Sequence, residues 1–265
     1  MDPNLVYWKN EGQTFISRLQ IWVNLLNPTT LLCSDVSSIT KPTNVIFQVV
    51  ASLLQHSSVK PALFWQFLLQ VYNAGFNYAN RNCSSDRNEK MSLKQLVLIT
   101  GTVSFTTCSG ALPQIFIKQL GVRSAAVQSF LRSIVPIHLS AALAFFSVLT
   151  IRSEELETGI QVFDSNGNSV GISKAAGHKA VKESALSRAA LLGVTAAVPS
   201  MLVLLFQGTR PFKRNSLLIA PLRHTSAVVV FGLMIPVSFS LFPQLGTEKL
   251  QAVTSEGHLF YHRGL

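Results

Sequence analysis

Three polar residues, Asn73, Asn77 and Arg81, recur at i, i+4 and i+8 in a stretch otherwise rich in aromatic and aliphatic side chains. On a helix this spacing places two carboxamides and a guanidinium on one face. Asn80 and Asn82 flank them. The set offers chemistry to a zwitterionic solute, because amides accept from an ammonium and donate to oxygen while a guanidinium holds a carboxylate. The same residues suit a plain helix end, with amides capping the last turn and Arg81 reaching to an interface. Both readings stay open at this level. His138, Arg223 and His224 form a second group of polar side chains in or beside apolar runs. Ionisable groups at membrane depth are costly and are functional candidates by default. A histidine there serves proton relay or helix-to-helix hydrogen bonding.

Other chemistries find no residues to carry them. There is no phosphate-binding glycine loop, no Ser-His-Asp order signal and no carboxylate pair within an apolar run, so no catalytic residue is assigned and no enzyme activity is expected. Cys33, Cys83 and Cys108 are odd in number and far apart, which supports neither a disulfide framework nor a metal site. No cofactor is expected. Asp164-Ser165-Asn166-Gly167-Asn168 resembles the start of a calcium loop, but Ser169 stands where glycine belongs and Ala175 where a bidentate glutamate belongs. It is read as a turn.

The elements that position these groups are apolar runs long enough to cross a bilayer, which asks for roughly 20 residues per helix. Such runs cover 62–78, 93–112, 134–151, 189–206 and 217–242, and a shorter run covers 45–54. The expected fold is all-α and multipass, with about five transmembrane helices. Thr102, Thr106 and Gly110 form a small-residue stripe that lets helices approach closely. Pro199 and Pro236 interrupt two spans and leave backbone groups for protein or water to satisfy. Ahead of the spans, residues 11–26 have helical periodicity, with Phe15, Leu19, Trp22 and Leu26 on one face. This amphipathic helix either lies in the membrane interface or packs on the protein.

Residues 152–188 read as the one long loop. In it Ile160 and Val162 face Val170 and Ile172 across a turn, a hairpin signal, and 173–188 is an alanine-rich helix. Lys174, His178, Lys179, Lys182 and Arg188 give that helix a basic face, either solvated or turned to lipid head groups. The chain thus divides into an N-terminal amphipathic segment (1–44), a transmembrane domain (45–243) that includes the loop, and a tail (244–265).

Composition agrees. Charged residues make up 13% of the chain and apolar ones 48%, against about 25% charged in soluble domains. The net charge of +10 comes without an aromatic-interleaved basic patch, so no nucleic-acid partner is expected and a lipid membrane is. The first fifteen residues have neither the apolar core of a signal peptide nor the Arg/Ser-rich composition of a transit peptide. Any organelle address is therefore expected further inside the chain.

Several motifs together suggest a family. Asn77-Tyr78-Ala79-Asn80-Arg81-Asn82 resembles the N-Y-T-N-R-N signature of the sideroflexins. The run from Gly159 through Asp164, Gly167 and Gly171 to Ser187-Arg188 is similar to their central loop, and Leu241-Phe242-Pro243-Gln244 to their closing L-F-P-Q. The segment Phe260-Tyr261-His262-Arg263-Gly264, the stretch 15–22 and Asn27-Pro28-Thr29 look most like the family's divergent fourth paralogue. The resemblance implies a multipass protein of the mitochondrial inner membrane that transports small neutral amino acids, with ties to iron homeostasis. For the fourth paralogue it implies a link to respiratory complex I assembly and iron–sulfur supply rather than serine carriage. Together with the polar helix face, it makes Asn73, Asn77, Asn80 and Arg81 the expected substrate-binding residues, of which Asn77, Asn80 and Arg81 lie in the motif. One family motif, H-P-D-T, has no counterpart here: residues 33–43 read CSDVSSITKPT. Its absence counts against serine transport itself.

Overall fold

The computed structural model describes residues 12–25, 59–82, 92–119, 134–249 and 258–264. The short apolar run at 45–54, the region 33–43 and most of the segment 1–44 lie outside these residues. Helix α1 (Phe15–Leu25) is followed by α2 (Val59–Ala79), α3 (Leu93–Gln119), α4 (Val135–Ile151) and the short α5 (Ser153–Thr158). Strands β1 (Ile160–Phe163) and β2 (Ser169–Ser173) lead into α6 (Lys174–Phe206). Then come α7 (Arg210–Arg214), a 3-10 turn at Ser216–Leu218, α8 (Ile219–Ser240), β3 (Leu245–Lys249) and β4 (His258–His262).

The apolar bundle comprises α2, α3, α4, α6 and α8, with α6 packed against both α4 and α8 and α2 against α3 and α4. Leu69 of α2, Ala144 of α4, Leu191 and Leu192 of α6 and Phe231 of α8 meet in one buried cluster. Other large apolar side chains point outward, among them Phe64, Val97, Leu205 and Leu233. An apolar exterior over an apolar core is the pattern of a bundle solvated by lipid. Among the described residues three helices, α3, α6 and α8, are long and apolar enough to cross a membrane. The 17-residue α4 is apolar but shorter, and α2 has the length, with its hydropathy diluted by carboxamides.

Two expectations need correction. The helix 173–188 and the span 189–206 are one continuous helix, α6, of 33 residues. It starts at Ser173, whose hydroxyl accepts from the Ala176 N–H at 3.2 Å as an N-cap. At 1.5 Å per residue it runs roughly 50 Å, well beyond the hydrocarbon thickness, so its first half stands outside the bilayer. On that half sits the second difference: the expected hairpin is part of a four-stranded sheet of order β2-β1-β4-β3. Residues 244–265, set apart in the sequence as a tail, supply β3 and β4, and β4 pairs with β1 through Phe163 and Phe260. Long-range strand pairing leaves no local signal, and residues 250–257 separate the two strands.

The hairpin turn forms as expected, but the facing differs. Ile160 pairs with Ser173 and Val162 with Gly171, while Ile172 lies opposite Gln161. Ile160 and Val162 therefore pack inward on Ala176, Ala180 and Tyr261, and Val170 and Ile172 face out. A one-residue change of register moves every side chain to the other face.

Helix α1 packs on α8. Trp22 meets Phe239 with ring centroids 4.8 Å apart, and the Arg18 Nε donates to the Ser240 carbonyl at 2.9 Å. Of the two readings of this helix, docking on the protein prevails on its Trp22/Arg18 side. Arg18 also answers a need of α8, whose last carbonyls have no partner within the helix. Ser187 donates to the Ser238 carbonyl and Arg263 Nη2 to that of Phe239 at 3.3 Å.

Candidate functional site

Helix α2 carries its polar side chains in a stripe. Gln66, Gln70, Asn73 and Asn77 follow at spacings of four, three and four, which is one face of a helix. Gln70 and Asn77 are 5% and 3% exposed, so the stripe faces the bundle interior. Asn73 is half-buried beside them. The Gln66 Oε1 and Asn77 Oδ1 are enclosed and accept no hydrogen bond among the described residues. Leaving such an atom unmatched costs about 1–3 kcal/mol. Gly110 makes room for the stripe, since a Cβ there would run into the Gln66 carboxamide. The threonines opposite give little in return. Thr102 and Thr106 spend their hydroxyls on the carbonyls of Leu98 and Thr102, each at 2.7 Å.

One layer higher, Arg188 of α6 turns into the bundle. Its guanidinium carbon lies 4.4 Å from the Phe76 ring centroid and 4.7 Å from that of Phe239. The two rings are nearly parallel, 16° apart, and form a joint aromatic surface against the cation. Each such contact is worth roughly 0.5–2 kcal/mol. The residue as a whole is half-buried, but its Nη2 is fully enclosed and has no acceptor among the described residues. The sequence grouped Arg188 with Lys174, His178, Lys179 and Lys182, which are exposed. Six residues past Lys182 a helix has turned roughly 120° from that residue, although only about 40° from Lys174, so Arg188 stands at the edge of that face. That offset was legible; the aromatic surface it meets was not, because Phe76 and Phe239 come from other helices.

The end of α2 is a different environment. Asn80 Nδ2 donates to the Phe76 carbonyl at 2.8 Å. Arg81 Nη1 donates to the Tyr78 carbonyl at 3.0 Å, and its guanidinium lies 3.6 Å from the Tyr78 ring centroid. Both side chains thus finish their own helix, while Asn77 points inward. Asn82 reaches away, donating to Glu155 Oε2 at 3.1 Å and to the His262 carbonyl at 2.9 Å.

Glu155 belongs to a buried ionic cluster that the sequence did not disclose. Arg152 Nε and Nη2 hold its carboxylate at 2.6 and 2.7 Å, a bidentate pair. Arg152 Nη1 donates to Ser184 Oγ at 3.0 Å and Nη2 to the Arg263 carbonyl at 2.8 Å. Gly264 closes the cluster with φ +73°, where an added Cβ would lie 2.6 Å from the Asn80 carbonyl oxygen. Arg263 lies above, and burial pushes its guanidinium down to about 10, with Glu183 opposing and Arg152 adding to the shift. The cluster ties the end of α2, the α4–α5 corner, α6 and the C-terminal strand together. A pair three residues apart, Arg152 and Glu155, was its only local trace.

His138, Arg223 and His224 lie at the other end of the bundle. Helices α4 and α8 begin there and finish beside the sheet, where α2 ends and where Lys94 at the start of α3 meets Glu157 at 2.8 Å. His138 is exposed, with Nδ1 3.1 Å from the Ile134 carbonyl of its own first turn. Arg223 and His224 are half-buried. The structure therefore gathers Asn73, Asn77, Asn80 and Arg81 along one end of α2, adds Gln66, Gln70 and Arg188, and separates all of them from the second polar group.

Comparison with known proteins places this arrangement. The sequence model described as Sideroflexins matches residues 37–263. The chain is 44% identical to Sideroflexin-4 of Danio rerio over 316 positions that cover all of both chains. It is 30% identical to Sideroflexin-4 of Bos taurus, again over the full length of both. Sideroflexin-5 of Homo sapiens is 30% identical over 82% of this chain and 65% of its own. The alignment of 316 positions is longer than the 265 residues of this chain, so the zebrafish relative holds segments without a counterpart here. No solved structure matches. With a family match running through the whole bundle and the sheet, and relatives aligned end to end, this chain belongs to the sideroflexin family.

Proposed function

We propose that this chain is a five-span protein of the mitochondrial inner membrane that carries a small neutral amino acid along the inward face of α2. The carrying observation is the stripe Gln66, Gln70, Asn73 and Asn77, two of whose enclosed amide oxygens accept nothing among the described residues. A bundle bears that cost where a passing solute supplies the missing donors, and an ammonium group has three. Asn73 and Asn77 line the proposed path, and Asn80 and Arg81 close its sheet-side mouth. The spans are α2, α3, α4, α6 and α8, and the family supports the membrane assigned.

The test is uptake of labelled serine, alanine and cysteine by proteoliposomes containing the purified chain. Asn77→Leu keeps the volume and removes the amide. Losing a hydrogen bond to a charged group costs about 1.5–3 kcal/mol, so uptake at low solute falls roughly ten- to hundred-fold. Unchanged uptake in Asn77→Leu defeats the assignment of the stripe, and unchanged uptake in Arg81→Ala removes that residue from the mouth.

A second reading, an assembly factor for respiratory complex I or for iron–sulfur supply, is favoured by the sheet. It presents an outer strand, β2, with Val170 and Ile172 exposed at 56% and 60%. That reading expects loss of the protein to lower complex I on native gels while mitochondrial serine uptake stays normal. Equal loss of all respiratory complexes counts against it.

A further inference from the structure

We infer that Arg188 is the residue that recognises the carboxylate of the carried solute, and that the layer formed by Arg188, Phe76, Phe239 and Asn77 selects zwitterions over neutral or cationic relatives. The identity of the solute rests on the transport reading; the recognition chemistry rests on the layer itself.

The layer holds two complementary vacancies in its hydrogen bonding. Among the described residues, Arg188 offers an enclosed N–H group with no acceptor, and Asn77 an enclosed oxygen with no donor. Phe76, the residue next to Asn77, is one of the two rings against the guanidinium. The two ion pairs among the described residues are Lys94–Glu157 and Arg152–Glu155, so neither uses Arg188. A buried cation without a counter-charge is expensive, and removing one partner of a buried pair has that same consequence. Aromatic faces offset part of the cost but supply no acceptor in the guanidinium plane. The missing partner is therefore a planar anion, for which a carboxylate is the geometric match. A zwitterion carries both missing groups, a carboxylate for Arg188 and an ammonium for an amide oxygen of the α2 stripe. Arg81 is a weaker claimant, because its Nη1 is already given to the Tyr78 carbonyl and its plane to the Tyr78 ring.

The position also suits coupling between binding and movement. Arg188 is on α6, Phe76 on α2 and Phe239 on α8, so an anion bound to the guanidinium acts on three spans together. Next to it, Ser187 holds the α8 carbonyl of Ser238.

The experiment uses the full chain purified in detergent and titrates L-alanine and its primary amide, alaninamide, by calorimetry and by ligand-induced thermal stabilisation. Alaninamide keeps the amine and lacks the carboxylate. The inference expects the wild-type chain to bind alanine at least tenfold more tightly than alaninamide. Arg188→Gln should weaken alanine roughly ten- to hundred-fold, the range of a charge-assisted hydrogen bond, and leave alaninamide little changed. Arg188→Lys, which keeps the charge without the planar fork, should fall between the two. Equal binding of alanine and alaninamide by the wild type, binding of neither, or discrimination that survives in Arg188→Gln overturns the inference. Uptake by proteoliposomes separates it from the transport reading. Carboxylate-dependent binding without uptake ends that reading and leaves Arg188 in its role. Uptake that is the same in Arg188→Gln as in the wild type ends the role and leaves transport standing.

Discussion

Replacing Glu155 by alanine should detach the C-terminal strand from the bundle. Glu155 is 2% exposed and its partner Arg152 is 0% exposed. The substitution removes the bonds of 2.6 and 2.7 Å that hold the Arg152 fork, together with the acceptor of Asn82 at 3.1 Å. Arg152 then keeps only Ser184 and the Arg263 carbonyl, with its charge still sealed inside. Breaking one partner of a buried pair in this way costs about 3–5 kcal/mol. For a chain of this size the scale is 2–4 °C per kcal/mol, so the melting temperature should fall by roughly 6–20 °C. The double variant Arg152→Met/Glu155→Leu removes both charges and fills the space, and should recover most of that loss. The assay is thermal unfolding in detergent, joined to amide hydrogen exchange of His258–His262, which should accelerate in Glu155→Ala and slow again in the double variant. If Glu155→Ala melts within about 2 °C of the wild type, or the double variant is no better than the single, the cluster does not hold the tail as described.

Three further outcomes follow from the geometry. Gly264→Ala forces a side chain into a left-handed backbone at φ +73° and sets its Cβ 2.6 Å from the Asn80 carbonyl; about 1–2 kcal/mol is lost to the backbone alone, and hydrogen exchange in β4 should rise. Gly177→Ala drives a methyl group into the Glu155 carbonyl where α6 crosses α5, and should lower thermal stability by about 1–3 kcal/mol, because backbone cannot move aside. The Asn168 N–H, with Asn166 and Gly167 assisting, holds the Asp164 carboxyl below its ordinary value. The turn is therefore fully stabilised above the ordinary aspartate range and loses that support as pH falls through the depressed value, on the acid side of about pH 4. Exchange of the β1–β2 amides should show this acid limb, and Asp164→Asn should abolish it.

The divide between sequence and structure runs along the range of the interactions. Helix positions were legible because a long apolar helix satisfies its own backbone and carries its hydropathy over its own length. Thus 62–78, 93–112, 134–151, 189–206 and 217–242 fall on helices apart from their end residues 134, 241 and 242, and three of those helices are long and apolar enough to cross a membrane. The turn at Asp164 was legible because an aspartate that accepts from Asn166 and Asn168 needs only five residues. The inward amides were partly legible: Asn73 and Asn77 share a face by spacing, and the burial of Gln70 and Asn77 extends that face to Gln66 and Gln70. Arg81 looked equivalent to Asn77 by spacing alone, yet it serves its own helix end while Asn77 is enclosed. Other features depend on partners distant in the chain, and periodicity carries no trace of them. The sheet joins residues 160–173 to 245–262. Arg152 binds Glu155 three residues away, but its burial requires Ser184 and the carbonyl of Arg263, 111 positions on. Arg188 read as one more surface cation until two phenylalanines from α2 and α8 were found against it. Local hydropathy determined which segments form long apolar helices and where a polar stripe lies on one of them. Only the packing of one helix on another decided which polar atoms were left without a partner, because that depends on what the neighbouring helices bring.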